Sequence, residues 1–219
     1  MAPKTERRAQ NSEESRRRIL QAAAEISAER GYDGTSLALV TKRSGLPASS
    51  VYWHFGSKDE LLAAVIEHSH REWLPDVPPW QPPAPGIDRL QHLRQVLRRA
   101  GQSFAAHPTF MRLGLMLMLE RRVVEPAARA RFVRIREETL KEMSEWWAAV
   151  LPPEVQERRP GIALRLAQLN MAASDGLYAM SSGHGESLDL MELHDLLALA
   201  LDAVAERIIQ EVAEELAEA

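Results

Sequence analysis

Apolar residues recur at three- and four-residue spacing along most of this chain, and nowhere is the alternation of a half-buried strand sustained. Asn11 and Glu14 can form a capping box that opens a helix. Its stripe is Ile19, Ala23 and Ile26, and Gly31 suits a left-handed stop. Thr35 can cap a second helix over residues 36–44, with Leu37 and Val40 facing inward and Gly45 ending it. Ser57 with Glu60 makes a second capping box, which opens a helix through Leu61, Leu62, Val65 and Ile66 to about Trp73. Residues 75–86 hold six prolines in twelve positions, so no helix crosses them. Beyond lie helical patterns near 88–106, 108–121, 126–150, 161–182 and 189–217. Pro108, Pro126, Pro152-Pro153, Pro160-Gly161 and the Gly183–Gly185 turn separate them. The pattern predicts an all-α fold.

One stretch does not behave as ordinary core. "SGLPASSVYWHFGSKDELL", residues 44–62, places four ring side chains in a row between glycine and proline breakers. A helix of about two turns is too short to stabilise itself. Residues 36–54 therefore read as a helix, a tight turn at Gly45-Leu46-Pro47 and a second short helix, the helix-turn-helix arrangement. At 100° per residue, Val51 and Phe55 share the side that packs on Leu37, Val40, Ile26 and Leu61. Ser49, Ser50, Tyr52 and Trp53 share the other, with His54 on the flank. Small hydroxyls allow close approach to phosphates and base edges, and a phenol or indole can donate to phosphate. The same pattern also describes a compact helical corner that binds no DNA.

Charge sharpens this picture. The 219 residues carry a net charge of −4, yet residues 1–58 hold ten Lys/Arg against six Asp/Glu, and the remainder holds 17 against 25. A small basic module is attached to a larger acidic one. Lys4, Arg7, Arg8 and Arg16–Arg18 read either as phosphate or minor-groove contacts or as a solvated tail. The absence of cysteine excludes disulfides and thiolate metal sites. The N-terminus lacks the apolar core of a secretory signal, and no apolar run approaches a membrane span, so a cytoplasmic protein is expected.

The segment "RRRILQAAAEISAERGYDGTSLALVTKRSGLPASSVYWHFGSKDELLAAVIE" resembles the DNA-binding domain of the TetR family of bacterial transcriptional regulators. The match includes Arg30-Gly31-Tyr32, Thr35-Ser36, the Gly45 turn, Val51 to Phe55, Ser57-Lys58 and Leu61-Leu62. The resemblance implies that Thr35 and Ser36 contact phosphate, and that Ala48, Ser49 and Ser50 face bases or the nearest phosphates. It further implies that Tyr52 and His54 meet backbone or bases, that Trp53 supports or contacts phosphate, and that Lys58 neutralises phosphate. Pro47 departs from the family, whose members often have Ser or Thr there, and cannot cap through a side chain.

The resemblance divides the chain into a basic disordered arm (1–12), a helix-turn-helix domain (13–60), a connecting helix with Pro-rich linker (61–86), and a helical ligand-sensing and dimerisation domain (87–219). For dimerisation, stripes on the last two helices offer Ile162, Leu166, Leu169, Ala173, Leu177, Leu197, Leu201, Val204 and Ile208. Ala172, Ala173 and Gly176 allow close approach, although such stripes also serve an intramolecular core. For an effector pocket the candidates are Met111, Leu115, Met118, Met143, Trp146, Trp147, Met171, Asp175 and Tyr178, adaptable methionines beside rings with a polar handle. Trp146 and Trp147, being adjacent, diverge by about 100°. The implied partners are a double-stranded DNA operator, a small apolar effector and a second copy of the chain.

Catalytic and cofactor patterns are missing. HExxH, CxxC, G-x-S-x-G, Walker A and GxGxxG do not occur, so neither metal, cofactor nor catalytic residue is expected. His184 in SSGHGES reads as part of a Gly/Ser turn. The expected function is a homodimeric repressor released from a near-palindromic operator by its effector. The alternatives are a helical small-molecule carrier or an activator on the same scaffold.

Overall fold

The computed structural model describes residues 4–77, 79–84, 87–106, 108–119, 126–184 and 188–218. The described residues are all-α: α1 (Lys4–Gly34), α2 (Leu37–Ser44), α3 (Ala48–Phe55), α4 (Lys58–Trp73), α5 (Arg89–Ala106), α6 (Pro108–Leu119), α7 (Ala127–Val150), α8 (Pro153–Arg158), α9 (Ile162–His184) and α10 (Leu190–Ala217), with one 3₁₀ turn at Leu74–Asp76. Two compact units result. Unit 1 is Met1–Trp73 with His107–Ile135, and unit 2 is Leu74–Ala106 with Arg136–Ala219. These units divide the chain differently from the expected boundaries after residues 60 and 86, because α4, α6 and the start of α7 all belong to unit 1.

In unit 1, α1 packs against α2, α3 and α4, and α6 lies on α1 and α4. Ile19, Ile26, Val40, Val51, Leu61, Leu62, Val65 and Ile66 are buried there. Two glycines decide local geometry. Gly31 interrupts α1 at φ 70°, ψ −172°, a region open essentially to glycine alone. A Cβ there would also come within 2.7 Å of Met116 Cε. Gly114 brings α6 against the Phe132 ring, which lies tilted against Phe110 at 5.1 Å between centroids.

Unit 2 is built on α10, which packs against α5, α8 and α9. Leu93, Leu97, Met143, Trp146, Trp147, Leu166, Ala198 and Leu201 lie in one buried cluster. Trp80, from the Pro-rich segment, packs on it with its ring edge-on to Trp146. Arg89 of α5 ties to Asp202 and Glu206 of α10 at 2.7 and 2.6 Å, and Arg98 pairs with Asp195.

Four local expectations are corrected. α1 starts at Lys4 instead of Asn11, so the arm expected to be disordered is helical from there. Residues 6–10 are mostly good helix formers, and Asn11 is interior, its carbonyl accepting from the Ser15 hydroxyl at 2.8 Å. Ser36, not Thr35, caps α2, its Oγ accepting from Leu39 N–H at 3.3 Å. Pro152-Pro153 opens α8 rather than only breaking the chain, since proline is preorganised for a first helical turn. Finally, α9 runs through Gly183 to His184; residues 185–187, like 120–121 of the sixth helical pattern, lie outside the described residues.

Candidate nucleic-acid interface

The turn between α2 and α3 is set by Gly45, at φ 68°, ψ 20°, whose N–H donates to the Thr41 carbonyl at 3.0 Å. Pro47 follows at the N-cap of α3 with no side-chain cap, as its chemistry dictates. Gly56, at φ 74°, ends the helix. Ser57 Oγ then accepts from Glu60 N–H at 3.1 Å, half of the expected capping box.

This short helix has two unlike sides. Val51 and Phe55 are buried, whereas Tyr52 is 55 % and Trp53 is 73 % exposed. Burying apolar area stabilises by about 25 cal/mol per Å², so a helix that leaves its tryptophan in water forgoes one of its largest gains. Ala48 and Ser49 are exposed beside them, with Ser50 half-buried. The His54 ring stands edge-on to Trp53 at 4.5 Å. Burial first, and then the nearby Arg16, lower its pKa, so the imidazole is neutral at pH 7. Lys58 holds its ammonium 4.8 Å from the centre of the Tyr32 ring, a cation–π contact that fixes its direction at the start of α4. Tyr32 in turn donates its hydroxyl to Asp59 at 2.9 Å, and Asp59 accepts the Ala127 N–H of α7 at 2.7 Å.

Thr35 is a correction. It is buried, and its hydroxyl donates to the Gly31 carbonyl at 2.7 Å, so it secures the α1–α2 corner and offers nothing to phosphate. Ser36 remains exposed at the helix start. The arginine run is largely engaged within the protein. Arg16 lies over the Phe55 ring at 5.3 Å, Arg17 pairs with Glu14 at 2.8 Å, and Arg18 donates to the Ser44 carbonyl at 2.6 Å. These contacts, and the pairing of Arg43 with Glu29 at 2.7 Å, escaped the sequence reading. Only the spacing of residues 18, 25 and 29 on one face of α1 hinted at them.

Residues 19–65 match the family model described as bacterial regulatory proteins, tetR family. The chain is also 30 % identical over 214 residues to the HTH-type transcriptional regulator AcrR of Shigella flexneri, covering 92 % of this chain and 93 % of that one. The chain belongs to the TetR family. A second relative, the HTH-type transcriptional repressor Rv3405c of Mycobacterium tuberculosis, is 43 % identical over 68 residues, covering 30 % of this chain and 36 % of the relative. Among solved structures, a tetR-family regulator from Streptomyces coelicolor superposes with a TM-score of 0.66 at 17 % identity, covering 92 % of this chain and 89 % of that one. NalD, the secondary repressor of the MexAB-OprM multidrug efflux pump in Pseudomonas aeruginosa, does so at 0.61 and 22 % identity, covering 89 % and 96 %. This TetR-family chain is thus a DNA-binding transcriptional regulator of the helix-turn-helix type, and its relatives are regulators, not enzymes. None of its described helices is long and apolar enough to cross a membrane, and among the described residues no cluster of three His, Asp or Glu could hold a metal ion.

The remaining expected positions in this TetR-family chain are less tightly gathered. Of the dimerisation candidates, Leu166 and Leu201 are intramolecular core, buried in the cluster of unit 2, which corrects their assignment. Leu169 and Val204 are well exposed, and Ile162, Ala173, Leu177, Leu197 and Ile208 are half-buried. Leu164, Leu196 and Leu199 are exposed too and were missed, although they sit one or two residues off the stripes that were read. Of the pocket candidates, Met111, Leu115 and Met118 belong to unit 1, where Met111 is buried and Met118 exposed. In unit 2, Met143, Trp146 and Trp147 are core, the two indoles meeting edge-on at 5.0 Å, and Met171 packs against them. Tyr178 is buried edge-on to Phe104. Asp175 accepts from Arg136 at 2.6 Å, while burial pushes its carboxyl above the usual range against the pull of that guanidinium. A concavity of about 470 Å³ on unit 2 is lined by Arg94, Gln95, Arg98, Arg99, Gln102, Met191 and Asp195, and holds none of these candidates.

Proposed function

We propose that this chain is a homodimeric repressor whose α3 reads a near-palindromic operator, and that a small, largely apolar effector bound in the helical C-terminal part releases it. The observation that carries the DNA contact is the exposure of Tyr52 and Trp53 on a helix whose opposite side is buried. Ser36, Ala48, Ser49, Ser50, His54 and Lys58 complete the surface. The roles of Rv3405c and NalD as repressors favour repression over activation.

Dimerisation is supported by the outward apolar residues of α9 and α10. Leu169, Ala172, Gly176 and Met180 follow one another at helical spacing and are exposed, and a Cβ added at Gly176 would meet nothing within 4 Å. Small residues at that spacing suit close helix packing, and a two-fold dimer matches a two-fold operator. For the effector, the support is an interior of methionine and tryptophan in unit 2. There the indole N–H groups of Trp146 and Trp147 and the Asn170 amide nitrogen are buried without a partner among the described residues. An apolar molecule carrying an acceptor would satisfy them. A footprint on DNA flanking the chain's own gene, at stated salt, tests the reading. Protection of a near-palindrome is the expected result, and absence of all binding at low salt overturns it.

A further inference from the structure

Arg16, Arg17 and Arg18 look in sequence like a strip for phosphate, yet two of them are turned onto the segment that contains the recognition helix. Arg18 reaches from α1 to the end of α2, where its Nη2 donates to the Ser44 carbonyl oxygen at 2.6 Å. The last carbonyls of a helix have no partner within it. A charge-assisted donor fills that vacancy and complements the negative end of the helix dipole. Ser44 itself is buried, so water is a poor substitute. Gly45 has a second role here: a Cβ on it would stand 3.2 Å from Arg18 Nη2. Beside this contact Arg43 is tied back to α1 by two bonds to Glu29, at 2.7 and 3.2 Å. At the far end, Arg16 lies over the ring of Phe55. Residues 44 and 55, which bracket the turn and α3, are therefore both gripped by one turn of α1.

We propose that Arg18 is a positioning residue for DNA recognition, which touches no DNA but fixes the end of α2 and so the aim of α3. Only Gly45, Leu46 and Pro47 separate Ser44 from α3, and Pro47 supplies no cap that would orient the helix by itself. The placement of α3 consequently comes from the Ser44 side. This inference rests on the DNA-binding reading of α3.

The test uses full-length Arg18→Gln and Arg18→Lys, with Arg17→Gln as the exposed comparator. Hydrogen exchange of peptides covering 44–55 is followed without DNA, and affinity is measured over a salt series for the footprinted site and for an unrelated duplex. Arg18→Gln should speed exchange of 44–55 and lower operator affinity about tenfold, the loss of one charged hydrogen bond. Its affinity for the unrelated duplex and its salt slope should match the wild type, as should every reading for Arg17→Gln. Arg18→Lys, which keeps the charge but not the guanidinium's reach, should lose operator affinity at an unchanged slope; it also serves if the glutamine variant melts early. A slope shallower by about 0.9, with both duplexes weakened, would make Arg18 a phosphate ligand and overturn the proposal. So would exchange and operator affinity equal to the wild type. Failure of the wild type itself to bind DNA would instead remove the reading on which the brace depends.

Discussion

Removing one oxygen from Tyr52 separates recognition from folding. Tyr52 is 55 % exposed, and its hydroxyl makes no hydrogen bond to the described residues. Tyr52→Phe therefore deletes nothing that the folded chain uses, and surface changes of this kind stay within about 0.5 kcal/mol. For a chain of this length that is a melting shift of roughly 2 °C or less. On DNA the loss is different, because a hydroxyl donating to a charged phosphate contributes about 1.5–3 kcal/mol. That corresponds to an operator affinity lower by about ten- to a hundredfold. The assays are thermal melting by circular dichroism and fluorescence anisotropy on the footprinted duplex, at one fixed salt concentration. Melting that falls by several degrees would show the hydroxyl to be part of the fold. Unchanged affinity would show that Tyr52 does not meet the DNA through its oxygen. Either result refutes the argument from exposure.

Three further outcomes follow from the packing. Gly114→Ala would set a Cβ 2.1 Å from the Phe132 ring, and overpacking of that kind costs about 1–3 kcal/mol, visible as a lower melting temperature. Leu169→Glu combined with Leu199→Glu changes two exposed residues, so the fold should persist by circular dichroism while sedimentation shifts from dimer to monomer; a variant that stays dimeric locates the interface elsewhere. Burial lowers the pKa of both His92 and His194, so the unfolded chain takes up protons first as pH falls below about 6.5. Stability is then full above that pH and declines beneath it. Urea unfolding between pH 7.5 and 5 should show the decline, and His194→Gln should flatten it. The carboxylates held low by arginine, Asp195 and Glu215, act in the same direction only in more acid solution.

The helices were legible because their breakers are chemical. Gly45, Pro108, Pro126 and the Ser57–Glu60 pair mark boundaries that follow from backbone geometry and local hydrogen bonds, which sequence displays directly. Tyr52 and Trp53 were legible for a related reason, since Val51 and Phe55 fix which side of so short a helix is buried. Thr35 was misread because a hydroxyl at a helix start has two uses, and only the fold of α1 around Gly31 brings a carbonyl within its reach. Leu166 and Leu201 lie on the same stripes as exposed neighbours, and periodicity gives the direction of a side chain but not what covers it. Arg18 was the least legible of all. Its partner is a backbone carbonyl 26 residues away, and a carbonyl has no letter in the sequence.

Pro47 leaves the first turn of α3 without a side-chain acceptor. The Ser50 N–H bends back to the Pro47 carbonyl at 3.0 Å, while the N–H groups of Ala48 and Ser49 have no protein acceptor among the described residues. A serine cap at that place would stabilise the helix by about 1 kcal/mol. If α3 meets DNA as proposed, a phosphate oxygen could accept from these donors without displacing a side chain. On that reading, fold and complex would draw on the same few hydrogens. A chain that satisfied them internally would keep its shape more firmly and its operator less.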